Sequence, residues 1–239
     1  MPQNSRTSRR NFILSSAAVE AATLSPNAIA LAAIVGQTPA PLSGDEILRR
    51  IKEGNQRFVS GKVLHPRRTP ADFKPLAKAQ YPIAAIVSCA DSRVSPELLF
   101  DQGIGDLFVI RIAGNYVDGA GAAVKGSVEY AVAELNVGVV LVLGHSQCGA
   151  VKAAIQHIHD ADALPGSIND LVNAIKPAVL ESEGKPGDPL ENAIEANVRR
   201  GVEKLKQLGP VIATAIASGK VRVVGGVYEL ATGKVNLLS

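Results

Sequence analysis

The chain has 239 residues, which is enough for one domain of ordinary size and an additional terminal segment. Hydrophobic residues make up 46% of it and support a large buried core, but aromatic residues make up only 4% and tryptophan is absent, so Ala, Val, Ile and Leu must fill that core. The formal net charge is +3, of which residues 1–40, with three arginines and one glutamate, carry +2. The rest is close to neutral, so the sequence does not predict nucleic-acid binding.

The first 40 residues resemble an export signal. Arg9 and Arg10 precede an apolar triplet, as in the twin-arginine motif, and a weakly apolar stretch follows as far as Val35. Glu20 interrupts this stretch, which is too short and too polar to span a bilayer. A basic terminal arm with no role in export is the alternative interpretation.

We therefore predict a twin-arginine signal and linker over residues 1–40 and one folded domain over residues 41–239. Recognition by the twin-arginine export machinery implies an exported protein, located in the periplasm or the thylakoid lumen.

The domain begins with a predicted helical arm. Ser43 and Glu46 have the spacing of a capping box, in which each side chain bonds the other residue's backbone N–H. Ile47 and Ile51 follow at positions that share one helical face. Residues 62–80 contain several prolines, which predict an extended segment.

Strands and helices then alternate along the chain. Apolar runs typical of strands covered on both faces lie at residues 83–89, 107–111, 137–144 and 221–228, and helices are predicted from residue 95, over 121–136, from near 148, over 167–181 and over 188–208. This alternation predicts a single α/β domain with a central, mainly parallel β-sheet flanked by helices.

Reactive side chains follow two of the predicted strands. Cys89 ends the first strand, His145 follows the third, and Cys148 lies three residues further on. In an open parallel sheet, ligands gather at the carboxyl ends of the strands, so we expect these three side chains to lie together. Two thiolates and one imidazole suit zinc, and three protein ligands leave one coordination position open, which is typical of a catalytic site.

Other interpretations of these residues remain open. The two cysteines of an exported protein could form a disulfide, or each could be an inert buried cysteine. Asp91 could fill the fourth coordination position and close the site. A phosphate-cradling loop is not predicted, because it needs a longer spacing than the three residues that separate Cys89 from Arg93.

Two motifs together resemble the signature of the β-class carbonic anhydrases. They are Cys89-x-Asp91-Ser92-Arg93 and His145-x-x-Cys148, and the resemblance extends from about residue 45 to the end of the chain. It implies one zinc ion per chain, bound by Cys89, His145 and Cys148. It also implies a parallel-sheet α/β domain that forms an obligate homodimer or a higher oligomer, with the active sites at the dimer interface.

The resemblance further implies roles for the residues around the metal. Gln80 matches a glutamine of the plant-like subgroup, whose resting site is open, so we expect Arg93 to hold Asp91 away from the metal. Ala113 stands where the plant enzymes carry valine, a difference that widens the predicted pocket slightly. The implied catalytic pair is Asp91 and Arg93, and the implied substrate-pocket residues are Gln80, Phe108, Ala113, Tyr130 and Gly149.

The implied function is the reversible hydration of carbon dioxide to bicarbonate and a proton, by attack of a zinc-bound hydroxide. Because two thiolates cancel the formal charge of zinc, we expect activity to favour alkaline pH. Two alternatives stay open: hydrolysis of carbon disulfide or carbonyl sulfide at the same site, and a non-catalytic, zinc-stabilised assembly protein. The presence of both Asp91 and Arg93 argues against the second, because a purely structural site has no use for the pair.

Overall fold

Apolar runs of the chain form a five-stranded sheet. The computed structural model describes residues 42–162 and 164–238, and the predicted export signal lies outside them. The first four strands are parallel, and the fifth is antiparallel to the fourth, which confirms the predicted mainly parallel α/β fold. The strands are β1 (Ala84–Ser88), β2 (Leu107–Arg111), β3 (Val139–His145), β4 (Arg222–Tyr228) and β5 (Val235–Leu238), in the order β2-β1-β3-β4-β5.

Eight α-helices of the described residues accompany the sheet, all within one compact unit. No helix in this part of the chain is both long enough and apolar enough to cross a lipid bilayer. The helices are α1 (Gly44–Val59), α2 (Pro70–Phe73), α3 (Pro96–Leu99), α4 (Gly121–Ala133), α5 (Gly149–Asp160), α6 (Ile168–Ser182), α7 (Pro189–Lys206) and α8 (Val211–Ala217), with a 3₁₀ helix at Lys74–Lys78.

The two faces of the sheet are covered by different helices. Ala85 and Val87 of β1 pack with apolar residues of α4, α7 and α8, whereas Ala84 and Ile86 pack with residues of α1 and α3. Every residue of β1 and β3 is buried, as expected for central strands of a sheet covered on both faces. Burial of each large aliphatic side chain contributes about 1.5–3 kcal/mol, so the carboxyl ends of β1 and β3 project from a rigid core.

The start of α1 agrees with the predicted cap. The Ser43 hydroxyl accepts a hydrogen bond from the backbone N–H of Glu46 at 3.2 Å, which satisfies one of the free donors of the first turn. The Glu46 carboxylate, expected to complete the capping box, is bonded by Arg49 and Arg50. The apolar face of α1, including Ile51, is buried against the sheet.

Four elements differ from the expectations. The segment predicted to be extended contains α2 and the 3₁₀ helix, because Pro70 occupies the first helical turn, where its fixed φ is favourable. The Thr69 backbone N–H and hydroxyl both donate to the Asp72 carboxylate, which fixes this turn. Helix α8 and strand β5 were not predicted. The helix has seven residues and the strand has four, and tertiary contacts decide the conformation of such short segments.

Candidate metal centre

Three potential metal ligands meet at the carboxyl edge of the sheet. Ser88 at the end of β1 pairs with Leu143 of β3, so Cys89 and His145 emerge at the same edge. Cys148 is the N-cap residue of α5. One ligand atom from each of Cys89, His145 and Cys148 lies within 4.8 Å of the others, and all three residues are buried. The structure thus brings together the three predicted ligands.

The His145 ring is oriented to bind a cation. Its Nδ1 lies 2.9 Å from the carbonyl oxygen of Ser146, and because a carbonyl can only accept, Nδ1 carries the hydrogen. Nε2 therefore has a free lone pair, yet it is buried and has no hydrogen-bond partner among the described residues. An unsatisfied buried acceptor costs about 1–3 kcal/mol. A metal ion bound to Nε2 supplies the missing partner.

Ser146 is itself held by strand β4 and the turn that follows. Its hydroxyl donates to the Glu229 carboxylate at 2.9 Å, and its backbone N–H donates to the Tyr228 carbonyl at 2.9 Å. The orientation of the His145 ring therefore depends on β4 as well as on β3. Such outer contacts commonly fix the tautomer and direction of a ligating histidine.

The two thiols also favour a cation. Hydrogen bonding from the Cys148 thiol, together with the backbone N–H groups of Gly114 and Asp91, lowers the pKa of Cys89 despite its burial. The hydrogen bond that the Cys148 thiol donates to Cys89, together with burial and the charge on Cys89, raises the pKa of Cys148. The Cys89 thiolate thus forms readily, and its negative charge disfavours deprotonation of Cys148. A bound divalent cation removes this repulsion between the two thiolates. Both cysteines are free, so the structure does not support the disulfide alternative.

Asp91 lies beside the ligands and is held by Arg93. The guanidinium donates from Nε to Asp91 Oδ1 at 2.9 Å and from Nη2 to Oδ2 at 2.7 Å, and the Arg93 backbone N–H adds a third bond at 2.9 Å. These bonds hold the pKa of Asp91 well below its ordinary value. Asp91 Oδ2 is 3.9 Å from Nε2 of His145. The carboxylate therefore borders the metal position while both its oxygens are engaged elsewhere.

A second arginine, which sequence reasoning did not assign to the site, supports the same loop. Arg111 ends β2 and donates to the backbone carbonyls of Cys89, at 3.1 Å, and Asp91, at 2.6 Å. Both of these bonds go to backbone carbonyls, so no chemical requirement of the reaction pointed to Arg111. Its position in the strand next to β1, directly opposite Ser88, is the signal that could have found it.

The five predicted pocket residues fall into two groups. Gly149 is the first residue of α5, directly after Cys148. Ala113 precedes Gly114, whose N–H bonds the Cys89 thiol at 3.2 Å. Both therefore border the metal ligands of their own chain.

The other three pocket residues lie elsewhere. Phe108 aligns with Ala85 in the sheet, four residues before Cys89, which is about 13 Å along the strand. Its ring packs near that of Tyr130, with 6.1 Å between centroids, and Tyr130 is 48% exposed. Gln80 is exposed and precedes the amino end of β1. The strand register thus separates Phe108 and its neighbour Tyr130 from the metal ligands of the same chain, and Gln80 precedes the opposite end of β1.

Comparison with known proteins agrees with this geometry. A family model described as carbonic anhydrase matches residues 84–235. A carbonic anhydrase of Mycolicibacterium smegmatis is 41% identical over 192 residues, which are 80% of this chain and 91% of that protein.

Among solved structures, one relative at 30% identity agrees with this family, and a second shares the fold. The β-carbonic anhydrase CcaA superposes with a TM-score of 0.63 at 30% identity, over 80% of this chain and 95% of the other. A structure of two tetrameric β-carbonic anhydrases from Sordaria macrospora shares the fold, with a TM-score of 0.63 at 24% identity over 81% of this chain and 98% of the other.

Proposed function

Since this chain belongs to the β-class carbonic anhydrase family, we propose that the centre at Cys89, His145 and Cys148 holds one zinc ion and hydrates carbon dioxide reversibly to bicarbonate and a proton. The observation that carries this proposal is the buried two-thiol, one-imidazole group with an Arg93-held carboxylate beside it. When bound, zinc supplies Lewis-acid chemistry that lowers the pKa of a water molecule and so provides hydroxide near neutral pH.

Asp91 and Arg93 orient the attacking oxygen. An Asp91 oxygen 3.9 Å from the His145 ligand nitrogen can accept the hydrogen of the attacking oxygen and so turn a lone pair toward the carbon of carbon dioxide. Because Arg93 lowers the pKa of Asp91, this carboxylate stays an ionised acceptor at neutral pH. It therefore does not keep the released proton, which leaves to solvent or buffer.

A stopped-flow assay of carbon dioxide hydration with zinc-loaded protein tests this function. We expect hydration well above the buffer rate, and an Asp91→Asn variant should lose most of it while keeping its zinc. Carbon disulfide and carbonyl sulfide serve as the comparison substrates. Hydrolysis of either one without hydration of carbon dioxide would show that the reaction has been misassigned.

We further propose that the resting site is open, as in the plant-like subgroup. The support is the position of Asp91, whose two oxygens are both bonded to Arg93, together with the presence of Gln80. A crystal structure of the zinc form near neutral pH should place no Asp91 oxygen on the metal. A separation of roughly 2.2 Å, the range of a carboxylate ligand, would instead mean a closed site.

We propose that the active unit is a homodimer or a higher homo-oligomer. Gln80, Phe108 and Tyr130 lie away from the metal ligands of their own chain, and a partner subunit can bring the same residues to them. Strand β2 forms an edge of the sheet, and the exposed Tyr130 lies against Phe108 of that strand. An apolar wall for carbon dioxide then forms only where two subunits meet.

Export by the twin-arginine machinery, to the periplasm or thylakoid lumen, is proposed from the sequence alone. That machinery moves folded proteins, which suits a site whose thiolates need metal before they meet an oxidising compartment. Replacement of Arg9 and Arg10 by lysine should leave active, unprocessed protein in the cytoplasm. Normal export of this variant on cell fractionation would contradict the assignment.

A further inference from the structure

A buried asparagine of helix α7 contacts the backbone next to the metal ligands. Asn197 is 4% exposed, and its Nδ2 donates to the Gly114 carbonyl at 2.8 Å across 83 residues of sequence. Asparagine is an unfavourable residue in a helix interior, and a buried amide must find a partner. Its place in the middle of α7 therefore calls for a specific contact, and Gly114 supplies it.

Gly114 connects this contact to a metal ligand. Its own N–H donates to the Cys89 thiol at 3.2 Å. Its φ is +81°, and a Cβ added there would lie 2.5 Å from the Cδ1 atom of Ile175 in α6. A side chain here would be strained by the positive φ and would displace the end of Ile175, so glycine suits this position, and Asn197 holds its carbonyl.

We propose that Asn197 is a positioning residue of the metal centre. By holding the Gly114 carbonyl, it aims the Gly114 N–H at the Cys89 sulfur. This N–H withdraws electron density from the thiolate and fixes its direction, so Asn197 sets the donor strength of one ligand without touching the metal. The proposal relies on Cys89 as a ligand and does not depend on which substrate the centre uses.

Cobalt(II) substitution gives a direct measurement of the sulfur donor. Asn197→Leu keeps a similar volume and removes the amide. A Cys89 thiolate that has lost its N–H is richer in electrons, so its charge-transfer band to cobalt should move to longer wavelength. We also expect cobalt affinity to fall by about tenfold or more, the usual effect of losing such an outer contact.

Asn55 offers the matched control. It is also a buried asparagine, 6% exposed, and its Nδ2 donates to the carbonyls of Leu99, at 3.1 Å, and Gly233, at 2.9 Å. Asn55→Leu should lower the unfolding temperature but leave the cobalt spectrum of the folded protein unchanged. The same spectral shift in both variants, or no shift in Asn197→Leu, would overturn the proposal.

A measurement on the unmutated chain covers the case in which Asn197→Leu does not fold. In protein loaded with cadmium-113, the Gly114 amide proton should show scalar coupling to the metal through the Cys89 sulfur. Absence of that coupling means that the N–H does not bond the ligand, and the proposal is wrong.

An unchanged cobalt spectrum in an active Asn197 variant contradicts only this inference, whereas normal metal binding without carbon dioxide hydration contradicts only the proposed function.

Discussion

Arg93 holds Asp91 through a two-pronged contact that lysine cannot reproduce. Arg93→Lys keeps the positive charge but replaces a planar fork by a single point donor, so Asp91 gains freedom to leave its position. We expect turnover to fall by about tenfold or more, equivalent to about 1.4 kcal/mol of lost transition-state stabilisation. Stopped-flow hydration and zinc analysis on the same sample check this. Zinc content that falls in parallel with activity would mean that Arg93 acts by retaining the metal.

Cys148 contributes a thiolate that no neutral side chain replaces. In Cys148→Ser the hydroxyl stays protonated at neutral pH, so two ligands remain and zinc should be lost. Since structural zinc can contribute on the order of 10 kcal/mol to folding, the variant should also melt at a lower temperature. Elemental analysis and a thermal melt measure both effects, with the exposed Ser92→Ala as control. Full zinc occupancy in Cys148→Ser would rule out this ligand.

The sequence alone was sufficient to predict that the three ligands meet. Cys89 and His145 end strands that are apolar throughout, so their common edge followed from the parallel fold. Asn197 could not be found in this way, and the only signal for Arg111 is its place at the end of β2, opposite Ser88. Both bond backbone carbonyls, and which carbonyl a side chain reaches depends on how distant segments pack. The roles of Asp91, Arg93 and the pocket residues stay predictions until variants are measured.

At the scale of elements, Asp101 ties helix α1 to the residues after α3. Its side chain is fully buried and accepts from Arg57 at 2.7 Å and from the backbone N–H groups of Leu64, at 2.9 Å, and His65, at 3.1 Å. Burial opposes ionisation of Asp101, but Arg57 and the two N–H groups outweigh it, so the pKa of this carboxyl lies below its ordinary value. The junction therefore depends on a charged aspartate.

We expect Asp101→Asn to lower the free energy of unfolding by about 2 kcal/mol near neutral pH. A carboxyl group whose pKa is lower in the folded state stabilises the fold at pH values above its unfolded-state pKa of about 3.9. This stabilisation is lost as the pH falls through the folded-state pKa. The difference in unfolding free energy between wild type and variant should thus shrink as the pH falls below about 4. Urea unfolding of wild type and variant at neutral and at acidic pH measures this difference. Loss of metal at acidic pH affects both proteins alike.

The exposed pair of Glu203 and Lys206 provides the comparison for this experiment. Its side chains are 59% and 45% exposed, and such pairs contribute roughly 0–1 kcal/mol. Glu203→Gln should therefore have little effect at either pH. An effect of Asp101→Asn no larger than that of Glu203→Gln would show that the buried junction is not energetically important.

The elements that could be predicted from the sequence are those with a strong periodic pattern. β1, β3 and α1 each carry an uninterrupted apolar run or face. Helix α2 was missed because prolines usually interrupt helices, yet Pro70 stands in the one turn that tolerates it. α8 and β5 carry too few residues for a pattern to develop, and their conformation depends on contacts with the rest of the domain.

At the scale of the whole molecule, two inactive variants with substitutions at different positions should regain activity when their chains form mixed dimers. We expect Asp91→Asn and Gln80→Ala each to be poorly active alone. If Gln80 acts in the partner's site, a mixed dimer contains one site with both defects and one intact site. Random mixing in equal amounts then restores about a quarter of wild-type activity. Co-refolding followed by the hydration assay measures this, and no gain over the separate variants would place Gln80 in its own chain's site or outside any site.

The ligands also come from segments far apart along the chain. His145 and Cys148 are neighbours, but Cys89 lies more than fifty residues earlier and reaches them only when β1 and β3 pair. A newly made chain therefore has a two-ligand site before folding and a three-ligand site afterwards. Firm capture of zinc must wait for the sheet, so the time course of metal uptake during refolding reports the closing of β1 onto β3 and not the encounter of protein with metal.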